Sequence, residues 1–152
     1  MSQDSPPEHL TVGVVIPTRN RAEMLRVTLE ALTGQSRAAD EVIVVDNGST
    51  DNTKQVVERF ERRLPLHYLY EPTPGAGEAR NCGIRHATSE ILAFTDDDCI
   101  PDREWLRFIE LSFLRDPAIG MVAGKVMPKL DGTTWVDRFA AVNHLVSEGA
   151  VP

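Results

Sequence analysis

Cysteine is scarce in this sequence, with Cys82 and Cys99 the only two. Two thiols without metal-ligand spacing exclude a disulfide framework and point to a reducing compartment. Each is read as a small buried side chain. Long apolar runs are missing as well: none approaches the ~20 residues needed to cross a bilayer. Residues 1–9 have no basic stretch followed by an apolar one, so no signal peptide is expected. Those features set the expected location as cytoplasmic, the inner membrane surface included. Positive charge is in deficit, 16 basic against 23 acidic residues for a net charge of −7. With no basic run visible, nucleic acid is excluded as a partner. An anionic small molecule is not, because a bound metal ion reverses the local sign. Internal repeats and low-complexity tracts are absent too.

What is present is one domain's worth of chain, 152 residues, in which apolar runs alternate with helical spacing. Thr11 to Ile16 is β-branched and predicts a buried first strand, ended by Pro17. A tight loop, 17–21, leads to a helix for which Asn20 and Glu23 have the form of an N-terminal capping box. Met24, Leu25, Leu29 and Leu32 share one face of it, and Gly34 stops it. A second strand covers 41–46. Its helix follows with Val56, Val57, Phe60 and Leu64 inward, and a shorter third strand covers 66–70. A Pro/Gly loop over 72–77 precedes a helix at 78–87 whose inner residues, Ala79, Cys82, Gly83 and Ala87, are small enough to allow a close approach. A further helix opens at Pro101-Asp102 with Trp105, Ile109 and Phe113 on one side. Trp135, Phe139, Val142 and Val146 predict a final amphipathic helix. The tryptophans are read as core. Strands alternating with helices imply a Rossmann-like, mostly parallel sheet flanked by helices. Residues 1–10 are expected to be a flexible N-terminus, 11–127 the α/β domain, and 128–152 the start of a further segment.

The strongest chemical signal is Ile91-Leu92-Ala93-Phe94-Thr95 followed by Asp96, Asp97 and Asp98. The apolar run predicts a strand buried on both faces. Three adjacent carboxylates repel one another unless something positive lies among them, and hard oxygen ligands suit Mg²⁺ or Mn²⁺. An acidic loop that caps the next helix is the other reading, and both stay open at this point. Two other strand ends carry polar groups, Thr18 with Arg19, and Asp46. In a parallel sheet all three ends fall on one edge, where ligands bind. Asp46 can accept a hydrogen bond from an imide N–H, or brace the Asn47-Gly48 turn. Arg80 is a permanent cation suited to a phosphate or to orienting an aspartate.

With those residues in view, the sequence resembles the nucleotide-binding half of a family 2 glycosyltransferase. The motifs are VVIPTRNR at 14–21, EVIVVDNGSTDNT at 41–53, GAGEARNCGI at 75–84 and ILAFTDDDC at 91–99, with MVAGKV at 121–126 a looser fit. Any one is weak, but four in order and in spacing make a specific signal. The resemblance implies a GT-A fold and metal-dependent, inverting transfer from a nucleotide-diphospho-sugar, UDP-sugar above all, to an acceptor hydroxyl. By the same resemblance Asp46 receives the nucleobase, and Pro17, Thr18 and Arg19 line the base and ribose pocket. Arg80 and Asn81 lie near the donor's nucleotide. Asp96 and Asp98 are the outer positions of the Asp-x-Asp motif, holding Mg²⁺ or Mn²⁺, and Asp97 belongs with the nucleotide-sugar contacts.

Inverting transfer needs a general base for the acceptor. No carboxylate among Asp131, Asp137 and Glu148 sits in the family's pattern, so the base stays unassigned, and the chain reads either as an N-terminal portion of a longer enzyme or as a short, acceptor-poor homologue. Two other readings follow. One is a non-catalytic nucleotide-sugar-binding module. The other is an aspartate-based phosphoryl-transfer domain, weakened by a first strand that ends in Pro17-Thr18-Arg19 without an acid. An incomplete second half would leave an apolar face open, and homo-oligomer formation is expected from it.

Overall fold

The computed structural model describes residues 9–126. Those residues contain eight elements in strict alternation: β1 (Val12–Thr18), α1 (Ala22–Thr33), β2 (Glu41–Asp46), α2 (Thr53–Glu58), β3 (Leu66–Tyr70), α3 (Ala76–His86), β4 (Ile91–Phe94) and α4 (Trp105–Arg115). The strands form one sheet in the order β3-β2-β1-β4, with every neighbouring pair parallel. The chain steps outward from β1 to β3, then crosses back to lay β4 on the other side of β1. That reversal opens a crevice between the carboxyl ends of β1 and β4, the place where open α/β sheets bind ligands.

The pleat of β1 sorts its side chains by parity. Val12, Val14 and Ile16 join Val42, Val44, Ile91 and Ala93 in the larger core, closed by Leu25, Leu29 and Leu32 of α1 and by Val56, Val57 and Leu106. Val15 faces the opposite side with Ile43 and Val45, under Ala79 and Cys82 of α3. α3 can lie this close only because Gly83 has no side chain, since a Cβ there would come within 2.4 Å of Val15 Cγ1. The small residues of this helix therefore serve contact with the sheet.

Three expectations need correction. β4 lies at the edge of the described sheet, with Phe94 43% exposed. Four apolar residues in a row mimic a doubly covered strand, whereas the strands covered throughout are β1 and β2. The capping box at Asn20 and Glu23 does not form. α1 starts at Ala22, whose N–H is taken by Asp51 Oδ2 at 3.1 Å, and Glu23 pairs with Arg26 instead. The buried stripe of α1 runs Ala22, Leu25, Thr28, Leu29, Leu32, leaving Met24 exposed.

Among the described residues no helix is long and apolar enough to cross a membrane. Residues 121–126, the described start of a second unit, have no regular secondary structure. The predicted helix around Trp135 to Val146, the segment 128–152 and most of the stretch 1–10 lie outside the described residues.

Candidate donor site

β1 ends in Pro17 and Thr18, and Thr18 pairs in register with Asp46 at the end of β2, which pairs with Tyr70 at the end of β3. The polar strand ends therefore share one edge. Around them opens a cleft of about 360 Å³, lined by Pro17, Thr18, Arg19, Arg21 and the aspartates 96–98, with Asn47, Gly75, Ala76 and Ala79. That is within the size range of small-ligand sites.

The loops forming the cleft are tied to one another by side chains. Asn47 is buried; its Nδ2 donates to the carbonyls of Glu71 at 2.8 Å and Thr73 at 2.7 Å, and its Oδ1 accepts from Gly75 N–H at 2.7 Å. The start of α3 is thereby fastened to the end of β2. Asn20 does the same between the first two loops: it takes a left-handed φ of 53°, accepts from Thr50 N–H at 2.7 Å, and gives its own N–H to Ser49 Oγ at 2.9 Å. A non-glycine residue held there marks a position that its surroundings over-determine.

The three acids differ in their surroundings. Asp97 is buried at 4% exposure; Thr18 Oγ1 donates to its Oδ2 at 2.8 Å and Arg21 to its Oδ1 at 3.2 Å. Its main-chain carbonyl accepts from Thr28 Oγ1 at 2.9 Å, which ties the turn to α1. Asp98 and Asp96 are exposed on the cleft. Asp98 accepts from the same Arg21 nitrogen at 2.8 Å, and Asp96 pairs with Arg80. The positive charge that three adjacent carboxylates require is therefore supplied, in the free protein, by two arginines. The hydrogen bond to Asp97, and behind it the charges of Asp97 and Asp98, push the Arg21 guanidinium above its already high range.

Among the described residues no three His, Cys, Asp or Glu side chains gather into a cage for a metal ion. Mg²⁺ does not require one, being held by one or two carboxylates plus substrate phosphates. Asp96 and Asp98, hard oxygen donors open to the cleft, fit that mode of binding. Asp97, with both oxygens taken by the protein, is built differently.

Asp46 is buried beside the cleft without being one of its lining residues. Its Oδ1 accepts from Ser49 N–H at 2.7 Å and its Oδ2 from the Tyr68 hydroxyl at 2.7 Å. Burial, then the Asp46 carboxylate, push the Tyr68 phenol well up, so it donates at any neutral pH. The carboxylate braces the turn as one of its two expected roles requires, and each oxygen retains a second lone pair. Arg19 lines the cleft, exposed and without a polar partner among the described residues. Asn81 is exposed on α3 and is not among the lining residues. Arg21, Asn47 and Tyr68 carry no individual role in the sequence reading. The only signal that could have found Arg21 was the demand of the acidic triplet for a cation.

Comparison with known proteins places this cleft in context. The family model for glycosyl transferase family 2 matches residues 13–144. Glycosyltransferase AglE of Haloferax volcanii is 39% identical over 139 residues, which cover 88% of this chain and 45% of that protein. The mannosyltransferase PcManGT of Pyrobaculum calidifontis, solved with GDP-Man and Mn²⁺, superposes with a TM-score of 0.67 at 35% identity, covering 76% of this chain and 35% of that one. TarS 1-349 of S. aureus in complex with UDP gives 0.65 at 26% identity, covering 80% and 40%. These structural neighbours are of the GT-A type, as the sequence motifs imply. The chain spans less than half the length of these relatives.

Proposed function

Because the chain belongs to glycosyl transferase family 2, we propose that it is the donor-binding half of a metal-dependent, inverting glycosyltransferase that uses a nucleotide-diphospho-sugar, UDP-sugar foremost. The observation that carries this reading is the cleft between β1 and β4. It is lined by Asp96, Asp98 and Arg21, with Arg80 paired to Asp96 from outside the lining, and its volume suits a nucleotide.

In this reading the base and ribose lie over Pro17, Thr18 and Arg19, with Asp46 reached from the β2 end and Asn81 near the donor. Asp98 and Asp96 hold Mg²⁺ or Mn²⁺, which when bound supplies positive charge to the leaving diphosphate. Asp97 keeps the turn in place from beneath. Arg80 holds Asp96 at the rim, and Arg19 offers an uncommitted guanidinium to an anion. Among the described residues the carboxylates lining the cleft are the triplet alone. The base that deprotonates the acceptor hydroxyl is therefore sought outside residues 9–126. A non-catalytic nucleotide-sugar-binding module is the second reading, favoured by that same observation.

Calorimetric titration with UDP, GDP and dTDP, each with and without Mn²⁺, tests the site. Binding strengthened by Mn²⁺ and graded among the bases is expected. Tight, metal-independent and equal binding of all three would overturn the proposal. Asp46→Ala should flatten the preference among bases, and unchanged selectivity would leave Asp46 as a turn residue only. Release of free UDP from a UDP-sugar separates an enzyme from a binding module.

A further inference from the structure

The two arginines at the acidic rim are not equivalent. Arg80 meets Asp96 alone. Arg21 places a single nitrogen, Nη1, against two acids, 3.2 Å from Asp97 Oδ1 and 2.8 Å from Asp98 Oδ2. Its Nε and Nη2 have no partner among the described residues. The Asp97 side chain is 6% exposed, while those of Asp98 and Arg21 are 45% and 50% exposed. One contact is an anchor on a buried carboxylate, and the other is an open pair between two exposed side chains.

A divalent cation and a guanidinium cannot both sit against the same edge of Asp98 without strong repulsion. Building on the reading of the cleft as a donor site, we propose that Arg21 is a positioning residue that occupies the cation's place at Asp98 while the cleft is free of nucleotide, and gives it up when a nucleoside diphosphate enters. The anchor at Asp97 keeps the arginine at the rim throughout. The entering diphosphate offers the guanidinium, through its idle Nε and Nη2, a planar two-point partner of the kind it binds best. Asp98 is then released to the metal. The consequence is coupling: nucleotide and ion each raise the other's affinity by the same factor. The rim is electrostatically satisfied when vacant and collects divalent ions only weakly on its own.

The test is Mn²⁺ binding to the full chain, followed by electron paramagnetic resonance of free Mn²⁺ and by calorimetry, with and without UDP. The native protein should bind Mn²⁺ weakly alone and more tightly with UDP. Arg21→Gln and Arg21→Ala should bind Mn²⁺ alone at least about tenfold more tightly than the native protein, through loss of one nearby positive charge. Arg21→Lys should stay close to native, and the enhancement by UDP should shrink in both neutral variants. A purely structural arginine would give the opposite sign, weaker metal binding on removal. Arg21→Gln keeps a donor for Asp97, so it carries the test if thermal melting shows Arg21→Ala to be unfolded. Unchanged or weaker Mn²⁺ affinity in a folded neutral variant, with UDP-dependent binding intact in the native protein, overturns this inference alone. Failure of the native protein to bind Mn²⁺ at saturating UDP overturns the metal site itself, and this inference with it.

Discussion

Asp97 and Asp98 are neighbours in the chain and opposites in surroundings, and their substitution should separate accordingly. Asp98 is exposed on the cleft, so Asp98→Ala should abolish the metal-dependent part of nucleotide binding and leave the thermal midpoint nearly unchanged. Asp97 is buried and engaged by Thr18 and Arg21. Asp97→Ala should cost about 3 kcal/mol, because a buried hydroxyl and a guanidinium lose their acceptor together. Urea denaturation beside calorimetry reads both. Equal loss of stability in the two variants would contradict this division. That the triplet matters was legible from three like charges in a row. What holds Asp97 inward was not, because its partner Thr18 lies 79 residues away.

The element scale shows the same limit. β2 and β3 have the bounds the sequence predicts, since a β-branched or aromatic run between turn residues is a local signal. The place of β4 at the edge was not legible, because strand order is set by pairing between distant segments. The capping of α1 is the clearest case. Asn20 and Glu23 satisfy the local pattern, but Asp51 reaches Ala22 N–H from the next loop, and Asn20 is drawn away to Thr50. The small residues of α3 were readable as a close approach, and Gly83 against Val15 is where it occurs. Gly83→Ala should destabilise the domain by about 1–3 kcal/mol through overpacking, despite alanine's better helix propensity. A denaturant midpoint equal to or above the native value would refute the contact.

At the scale of the molecule, one partly buried ionic cluster fastens the entry of the chain to its last described helix. Arg37 bridges Glu110 at 2.9 Å and Asp40 at 2.7 Å, while Leu10 N–H and Val12 N–H bond to those same two carboxylates. Burial pushes both acids up. The Arg37 hydrogen bond and charge, with the main-chain donors, outweigh it and hold Glu110 and Asp40 below their ordinary range. Asp51 is held low chiefly by the Thr53 hydroxyl. A carboxyl whose folded pKa is depressed binds its proton more readily when unfolded, so its contribution to stability is complete above the unfolded value of about 4. That contribution is lost as pH falls below about 4 towards the folded values. Unfolding free energy from urea titrations should therefore hold level from neutral pH down to about 5 and then decline, and Glu110→Gln should blunt the decline. A native-like acid profile in that variant would remove the cluster from this role.

The crossover that lays β4 beside β1 also decides when the cleft comes into being. Its walls come from residues near 17, 47, 75 and 97, so no stretch of chain shorter than about eighty residues contains it. From sequence separation the first three strands are expected to pair first, and the aspartates to arrive only when β4 docks against β1, the most distant pairing in the sheet. On the proposed function, a nucleotide would then find no finished cleft on the way up the folding barrier. It should act as a brake on unfolding, lengthening the lifetime of a finished molecule without hastening its birth.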